Sequence, residues 1–205
     1  MNIFEINELN FVEKSIGPIS VLEMDNFYKH PEKVVEFLNN NPANFHKSKE
    51  KGFNGIHFDD KRHEIEHKDF NVPQTLANYF GFKVSDNTLV TNQFVMKDNE
   101  FNKPMTHYWA PHCDPRPLAC LIYLNTFDCD GTNFYSENVN APKFEQSEHE
   151  NPWRHKKHFR LLGTTQAKFN RACIFRGNSV LHGMALNKTF VEPCKEKRLN
   201  QVIFI

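Results

Sequence analysis

The chain has 205 residues, zero formal net charge from 25 Lys and Arg against 25 Asp and Glu, 39% hydrophobic residues and 20 Phe. That length suits one domain with a sizeable core, and the balanced charge offers no basic footprint for general nucleic-acid or anionic-membrane binding. A mean hydropathy of -0.63, the lack of any long uninterrupted apolar run and the acidic start MNIFEINELN exclude a membrane-spanning helix and a signal peptide, so a cytoplasmic, soluble protein is expected.

Residues 1–24 alternate apolar and polar in short runs, Ile3 and Ile6, then Ile19 and Val21, which predicts two strands around the Gly17-Pro18 turn. Beyond Asp25, Pro31 can occupy a first helical turn, Val34, Val35 and Leu38 fall on one face, and 39–42 stops the run: one amphipathic helix. Residues 43–71, with Gly52, Gly55 and the charge-dense stretch 59–69, read as loop with a short solvated helix. A second helix starts at Pro73, presents Leu76, Tyr79 and Phe80 at i, i+3, i+4, and ends at Gly81.

After Gly81 the period shifts towards two. The runs 88–96, 119–125, 132–135, 160–167, 172–175 and 199–205 are short, rich in branched or aromatic residues and separated by Pro, Asn, Asp and Gly. Such a series, without helices between the strands, indicates an antiparallel sandwich or jelly roll rather than a parallel sheet. The expected class is α+β, mainly β, with helices packed on an antiparallel β domain. No repeat is visible.

Five cysteines, odd in number and without a CxxC pair, argue for reduced thiols rather than a disulfide framework or a zinc knuckle. The eleven histidines point elsewhere, and the pattern that concerns chemistry is HxD. Residues two apart share a face only in extended structure, so on a strand this pair can present an imidazole and a carboxylate to one ion. Chance predicts about 0.5 such pairs in a chain of this composition; three occur, at His57-Phe58-Asp59, His67-Lys68-Asp69 and His112-Cys113-Asp114. The second lies on a solvated charged face, and the first precedes any convincing strand series. Only His112 and Asp114 open the β-rich half, directly before LACLIYLN.

A third ligand is expected at His182, which follows the strand ACIF and a Gly177-Asn178 turn, as an antiparallel return strand would. Two imidazoles and one carboxylate make the facial triad of non-heme Fe(II), with open positions for cosubstrate and oxygen. Arg198 begins the last strand, RLNQVIFI, and shares a face with Asn200. A buried arginine in a barrel needs an anion, its planar fork suits a carboxylate, and Tyr123 can add a phenolic hydrogen bond. A dicarboxylic keto acid would chelate iron at one end and meet Arg198 at the other.

Together, HCD, LACLIYLN, DGTNFY, the distal His182 and the strand from Arg198 resemble the 2-oxoglutarate- and Fe(II)-dependent dioxygenases, especially the prolyl-hydroxylase-like branch. There the HxD motif is followed by a strand much like CIYYLN, a Gly-Gly turn, the distal His and the Arg. KFNRACIFRGNSVLHG and DNFYKHPEKVVEF are further similar to a group of phage and bacterial proteins of that superfamily. The resemblance runs from about residue 20 to 205. It implies one domain, with a double-stranded β-helix (jelly roll, cupin-like) at 86–205 and an N-terminal helical support region at 1–85. His112, Asp114 and His182 would bind Fe(II), and Arg198, with Tyr123 and Asn200, the far carboxylate of 2-oxoglutarate. Two departures stand out. Arg198 follows His182 at a longer spacing than is common in the family, so 187–197 is an insertion; and the double glycine is Asp130-Gly131, with Asn200 where many members carry Ser.

The implied activity consumes O2, converts 2-oxoglutarate to succinate and carbon dioxide, and hydroxylates a C–H bond of a protein side chain or small molecule. Tyr108, Trp109 and Arg116, flanking the HxD motif, are expected as walls of the substrate pocket. No general nucleic-acid or membrane partner is expected, and a phage-encoded copy would act in the host cytoplasm. One alternative is a non-enzymatic jelly-roll binding or structural module with a vestigial metal site, which predicts a missing ligand or no anion partner. A zinc hydrolase could use the same two histidines and aspartate, but would leave Arg198 and Tyr123 unexplained.

Overall fold

The computed structural model describes residues 2–41, 46–47, 61–65, 71–84, 89–94, 111–127, 129–138, 158–185 and 198–205. Two short strands, β1 (Val12–Ile16) and β2 (Ile19–Met24), meet at Gly17, whose φ of 58° is a conformation glycine adopts without strain. The predicted hairpin is therefore present, but it starts at Val12; Ile6 makes only a single bridge to Tyr28.

Helix α1 (Pro31–Asn40) opens on Pro31 and buries Val34 and Leu38, as the helical spacing dictates. Helix α2 (Val72–Phe80) ends at Gly81, with φ of 74°. Its buried residues are Val72, Pro73, Leu76 and Ala77, whereas Tyr79, expected on the same face, is 52% exposed. The apolar stripe is rotated because Ala77, too small to register as a hydrophobic marker, takes the inward position.

Between the helices, 43–71 was expected as loop with a solvated helix; the described part instead forms β3 (His46–Lys47) and β4 (Lys61–Ile65). Both join the main sheet through β5 (Leu89–Phe94). A charge-rich sequence does not prevent a strand when the backbone partner is supplied from elsewhere in the chain. The stretch 1–85, expected as helical support, thus carries two helices and four strands among its described residues.

The remaining strands are β6 (Ala119–Tyr123), β7 (Asp130–Glu137), β8 (Phe159–Gln166), β9 (Arg171–Phe175), β10 (His182–Met184) and β11 (Arg198–Phe204). They form an eight-stranded sheet in the order β1-β2-β9-β6-β11-β5-β4-β3 and a three-stranded sheet β10-β7-β8, with every assigned pair antiparallel. One of the expected pairings is different: β10 is not the return strand of β9 but crosses to the smaller sheet, pairing His182 with Phe134.

The period-two alternation of the central strands sorts side chains into two cores. Cys120, Ile122, Ala172, Ile174, Leu199 and Ile203 pack with Val34, Leu38, Leu76 and Ala77 beneath the helices. Ala119, Tyr123, Cys173 and Phe175 face the other way, against Phe134 of the smaller sheet and Ala167 just beyond β8. The helices therefore cap one face of the large sheet, and its opposite face, with the small sheet, encloses the interior that holds the site. Among the described residues no helix is long and apolar enough to cross a membrane.

Candidate metal centre

The three candidate ligands come from two segments fixed by backbone hydrogen bonds. His112 and His182 form an antiparallel bridge, each N–H donating to the other's carbonyl at 2.9 Å. Residues directly opposite in such a pair project to one side, which brings the two imidazoles to 4.6 Å between ring centroids. Asp114 lies beyond the bridge in an irregular stretch, so the HxD pair occupies extended chain rather than a full strand. Its N–H donates to the Gly177 carbonyl at 2.8 Å, and the Gly177 N–H returns to the Pro117 carbonyl at 3.0 Å.

Asp114 Oδ2 stands 3.1 Å from His182 Nε2, and Asp114 Oδ1 stands 3.8 Å from His112 Nε2. All three ligand atoms lie within 4.8 Å of one another. Neighbouring ligands on an ion bound at about 2.1 Å are about 3 Å apart, so the His182–Asp114 spacing already suits a shared ion.

Proton placement points the same way. His182 Nδ1 is 2.9 Å from the Val180 carbonyl, which can only accept, so Nδ1 carries a proton, and it is Nε2, the nitrogen nearer Asp114, that faces the site. With the imidazole in its neutral form, the Nε2 lone pair and the carboxylate oxygen are two acceptors face to face, an arrangement that a cation between them would relieve. Two imidazole nitrogens and a carboxylate, with one side open, fit non-heme Fe(II). His182 and Asp114 are buried, while the His112 side chain is 25% exposed. Phe175 packs edge-on against His182 at 4.5 Å, closing the inner side.

Deeper in the interior, Arg198 is fully buried. Its Nη1 donates to the Ala185 carbonyl at 3.2 Å and the Asp130 carbonyl at 3.3 Å, and Nη2 to the Gly131 carbonyl at 2.7 Å. Burial lowers its pKa from the usual value, yet a guanidinium remains charged. Arg198 Cζ lies 5.8 Å from the Tyr123 ring centre. Tyr123 is opposite Asn200 in the β6–β11 register, so Arg198, Asn200 and Tyr123 are neighbours on one face, as the two-residue spacing predicts. Burial holds the Tyr123 phenol well above its ordinary pKa, which keeps it protonated.

Arg116 is exposed two residues beyond Asp114. Tyr108, Trp109, the 187–197 insertion and the other two HxD pairs lie outside the residues the structure describes in full. One neighbour of the site carried no signal in the sequence, and one sequence motif lies away from it. Thr132 and Thr165 surround the Tyr123 hydroxyl, and nothing in a strand threonine announces such a role. The run His63-Glu64-Ile65-Glu66-His67 has the HExxH spacing that on a helix places two imidazoles on zinc; its first three residues belong to strand β4, and Glu66 and His67 lie outside the described residues.

Over residues 9–204 the sequence matches the family described as "Family of unknown function (DUF6445)". The chain belongs to DUF6445. No curated protein matches this DUF6445 chain. Among solved structures it is similar to a Pseudomonas putida prolyl-4-hydroxylase, at 12% identity and TM-score 0.47, over 90% of this chain and 91% of that one. A prolyl 4-hydroxylase from Phytophthora capsici matches at 16% identity and TM-score 0.46, where 90% of the DUF6445 chain spans 57% of the other. IDO from Bacillus thuringiensis matches at 11% identity and TM-score 0.44, over 90% and 91%. Likeness at this level says nothing of activity, so the chemistry rests on the site.

Proposed function

We propose that this DUF6445 protein is an Fe(II)- and 2-oxoglutarate-dependent dioxygenase of the prolyl-hydroxylase-like branch, built as a single double-stranded β-helix domain that acts in a reducing cytoplasm. The observation that carries the reading is the convergence of His112, Asp114 and His182, from segments far apart in the chain, on one partly open point, with His182 Nδ1 tied to a backbone carbonyl and its Nε2 facing the site. A complete ligand set also counts against a vestigial binding module. None of the described cysteines Cys113, Cys120, Cys129 and Cys173 is joined in a disulfide, which suits a compartment that keeps iron ferrous.

When bound, Fe(II) with 2-oxoglutarate and O2 supplies the oxidative chemistry: the keto acid becomes succinate and carbon dioxide while one oxygen atom is inserted into a substrate C–H bond. The protein holds three ligands on one side of the ion and leaves the other side open. Arg198 binds the far carboxylate of the keto acid, assisted by Tyr123 and Asn200. Phe134 and Phe175 keep the interior dry. Tyr108, Trp109 and Arg116 line the substrate side, and the substrate is a protein side chain or small molecule.

The test is anaerobic addition of Fe(II) and 2-oxoglutarate to metal-free protein, followed by the weak visible charge-transfer band of the chelate. The band should appear with wild type and vanish in His182→Ala, while Arg198→Ala should require far more 2-oxoglutarate. A wild type that shows no band overturns the reading. Oxygen-dependent succinate formation then separates an enzyme from an inert binder.

A further inference from the structure

The Tyr123 hydroxyl is held by two threonines that the dioxygenase reading does not use. Thr132 Oγ1 lies 2.8 Å from Tyr123 Oη and Thr165 Oγ1 3.1 Å from it, all three residues being buried. Thr165 Oγ1 in turn accepts the Thr132 backbone N–H at 2.9 Å. That leaves Thr165 one proton and two oxygen outlets, the Tyr123 hydroxyl at 3.1 Å and the Thr132 carbonyl at 3.3 Å. The phenol oxygen is the nearer. The Cys173 sulfur also meets both the Tyr123 and Thr165 hydroxyls, but burial pushes its pKa up to about 12, so it stays a thiol, and neutral sulfur is a weak acceptor that competes poorly with oxygen.

The cluster exists because residue 131 has no side chain. A Cβ there would lie 2.9 Å from Tyr123 Oη and 2.8 Å from Thr165 Oγ1, closer than side-chain carbons approach. The same Gly131 offers its carbonyl to Arg198 at 2.7 Å. One backbone position therefore brings the tyrosine hydroxyl and the arginine fork together.

We propose that Thr132 and Thr165 are positioning residues that both donate into the Tyr123 oxygen, filling its two acceptor positions and turning the single phenolic proton toward the far carboxylate of the bound cosubstrate. The hydrogen-bond inventory allows this without leaving a donor idle: a threonine hydroxyl gives one proton, and a phenol accepts two and gives one. A phenol whose lone pairs are both occupied can act only as a donor, so the pocket favours a carboxylate at this end over a neutral hydroxyl-bearing group that must itself donate. This inference rests on the 2-oxoglutarate reading.

The experiment titrates 2-oxoglutarate into anaerobic Fe(II)-loaded protein, with the visible band as readout, for Thr132→Val, Thr165→Val, Cys173→Ala, Tyr123→Phe and the two Thr/Tyr double variants. Each valine variant should weaken 2-oxoglutarate binding about 3–10-fold, with Fe(II) affinity unchanged and Thr165→Ser restoring binding, while Cys173→Ala leaves it unchanged. In the Tyr123→Phe background the valine substitutions should add less than a further twofold. Tighter binding in the valine variants, no change, a loss in Cys173→Ala as large as theirs, or a loss that persists in full without the phenol overturns the inference while leaving the dioxygenase reading intact. A wild type that binds Fe(II) but no 2-oxoglutarate overturns both.

Discussion

Gly177→Ala isolates how tightly the candidate metal site is packed. A Cβ at 177 would lie 3.1 Å from Asp114 Cβ, 3.2 Å from Asp114 Oδ2 and 3.1 Å from the Arg116 carbonyl oxygen, so the neighbours must give by a few tenths of an ångström. The backbone itself accepts alanine, because the positive-φ glycines among the described residues are Gly17 and Gly81. The fold should therefore tolerate the substitution, and the displacement should fall on the carboxylate. Ligand distances are held to about 0.2 Å, and disturbing the groups that support a ligand costs about 10–100-fold in metal affinity, or about 1.4–2.7 kcal/mol. Anaerobic calorimetric titration with Fe(II) should show that loss, while the metal-free unfolding midpoint moves by about 3 °C or less. An alanine variant that binds iron as tightly as wild type would show that Asp114 does not depend on this contact, or is not a ligand.

Saturating metal at about one hundred times its dissociation constant should stabilise the protein by about 2.7 kcal/mol, a rise of about 5–10 °C in the unfolding midpoint, and His182→Ala should abolish the rise. Asp25, hydrogen-bonded to Arg171 at 2.6 Å, has its pKa lowered to about 2 from an ordinary 3.8. The ionised form is favoured in the fold, so this contribution is complete above the ordinary value and disappears as pH falls towards 2; with the group partly exposed it is worth about 1 kcal/mol. Urea titrations of metal-free Asp25→Asn should accordingly match wild type near pH 2 and fall below it near pH 5; equal loss at both pH values would refute the assignment. Gly163→Ala would place a Cβ 2.6 Å from Ile16 Cγ2, where β1 meets β8, and should cost about 1–3 kcal/mol of stability without changing iron affinity.

Legibility in the sequence followed how local each determinant is. Strands β6 and β9 are largely buried on both faces and read as short, nearly continuous apolar runs, and Pro31 with Val34 and Leu38 marked α1 through local spacing alone. The three side chains that converge at the candidate site, His112, Asp114 and His182, were visible because HxD is a local pattern and His182 follows a recognisable apolar segment. Strand β4 was not, since Lys61–Ile65 carries no apolar alternation and its backbone partner is Leu89–Phe94. The crossing of His182 to the smaller sheet was invisible for the same reason: its register with Phe134 is a long-range choice. The hydroxyl pair at Tyr123 required three strands to be assembled before Thr132 and Thr165 could be neighbours.

The bridge between His112 and His182 has a mechanical meaning. The first residue leads into β6 of the large sheet, the second opens β10 of the small one, and strands β6 to β9 all lie in the chain between them. In the proposed metal-bound state, an ion gripped by both would be a cross-link at the rim, shutting a long loop much as a disulfide does, and its grip would limit how far the two sheets can separate. Loss of metal would then unfasten the rim, with faster amide exchange at the His112 and His182 N–H groups than at the Ala119–Phe175 register inside the large sheet.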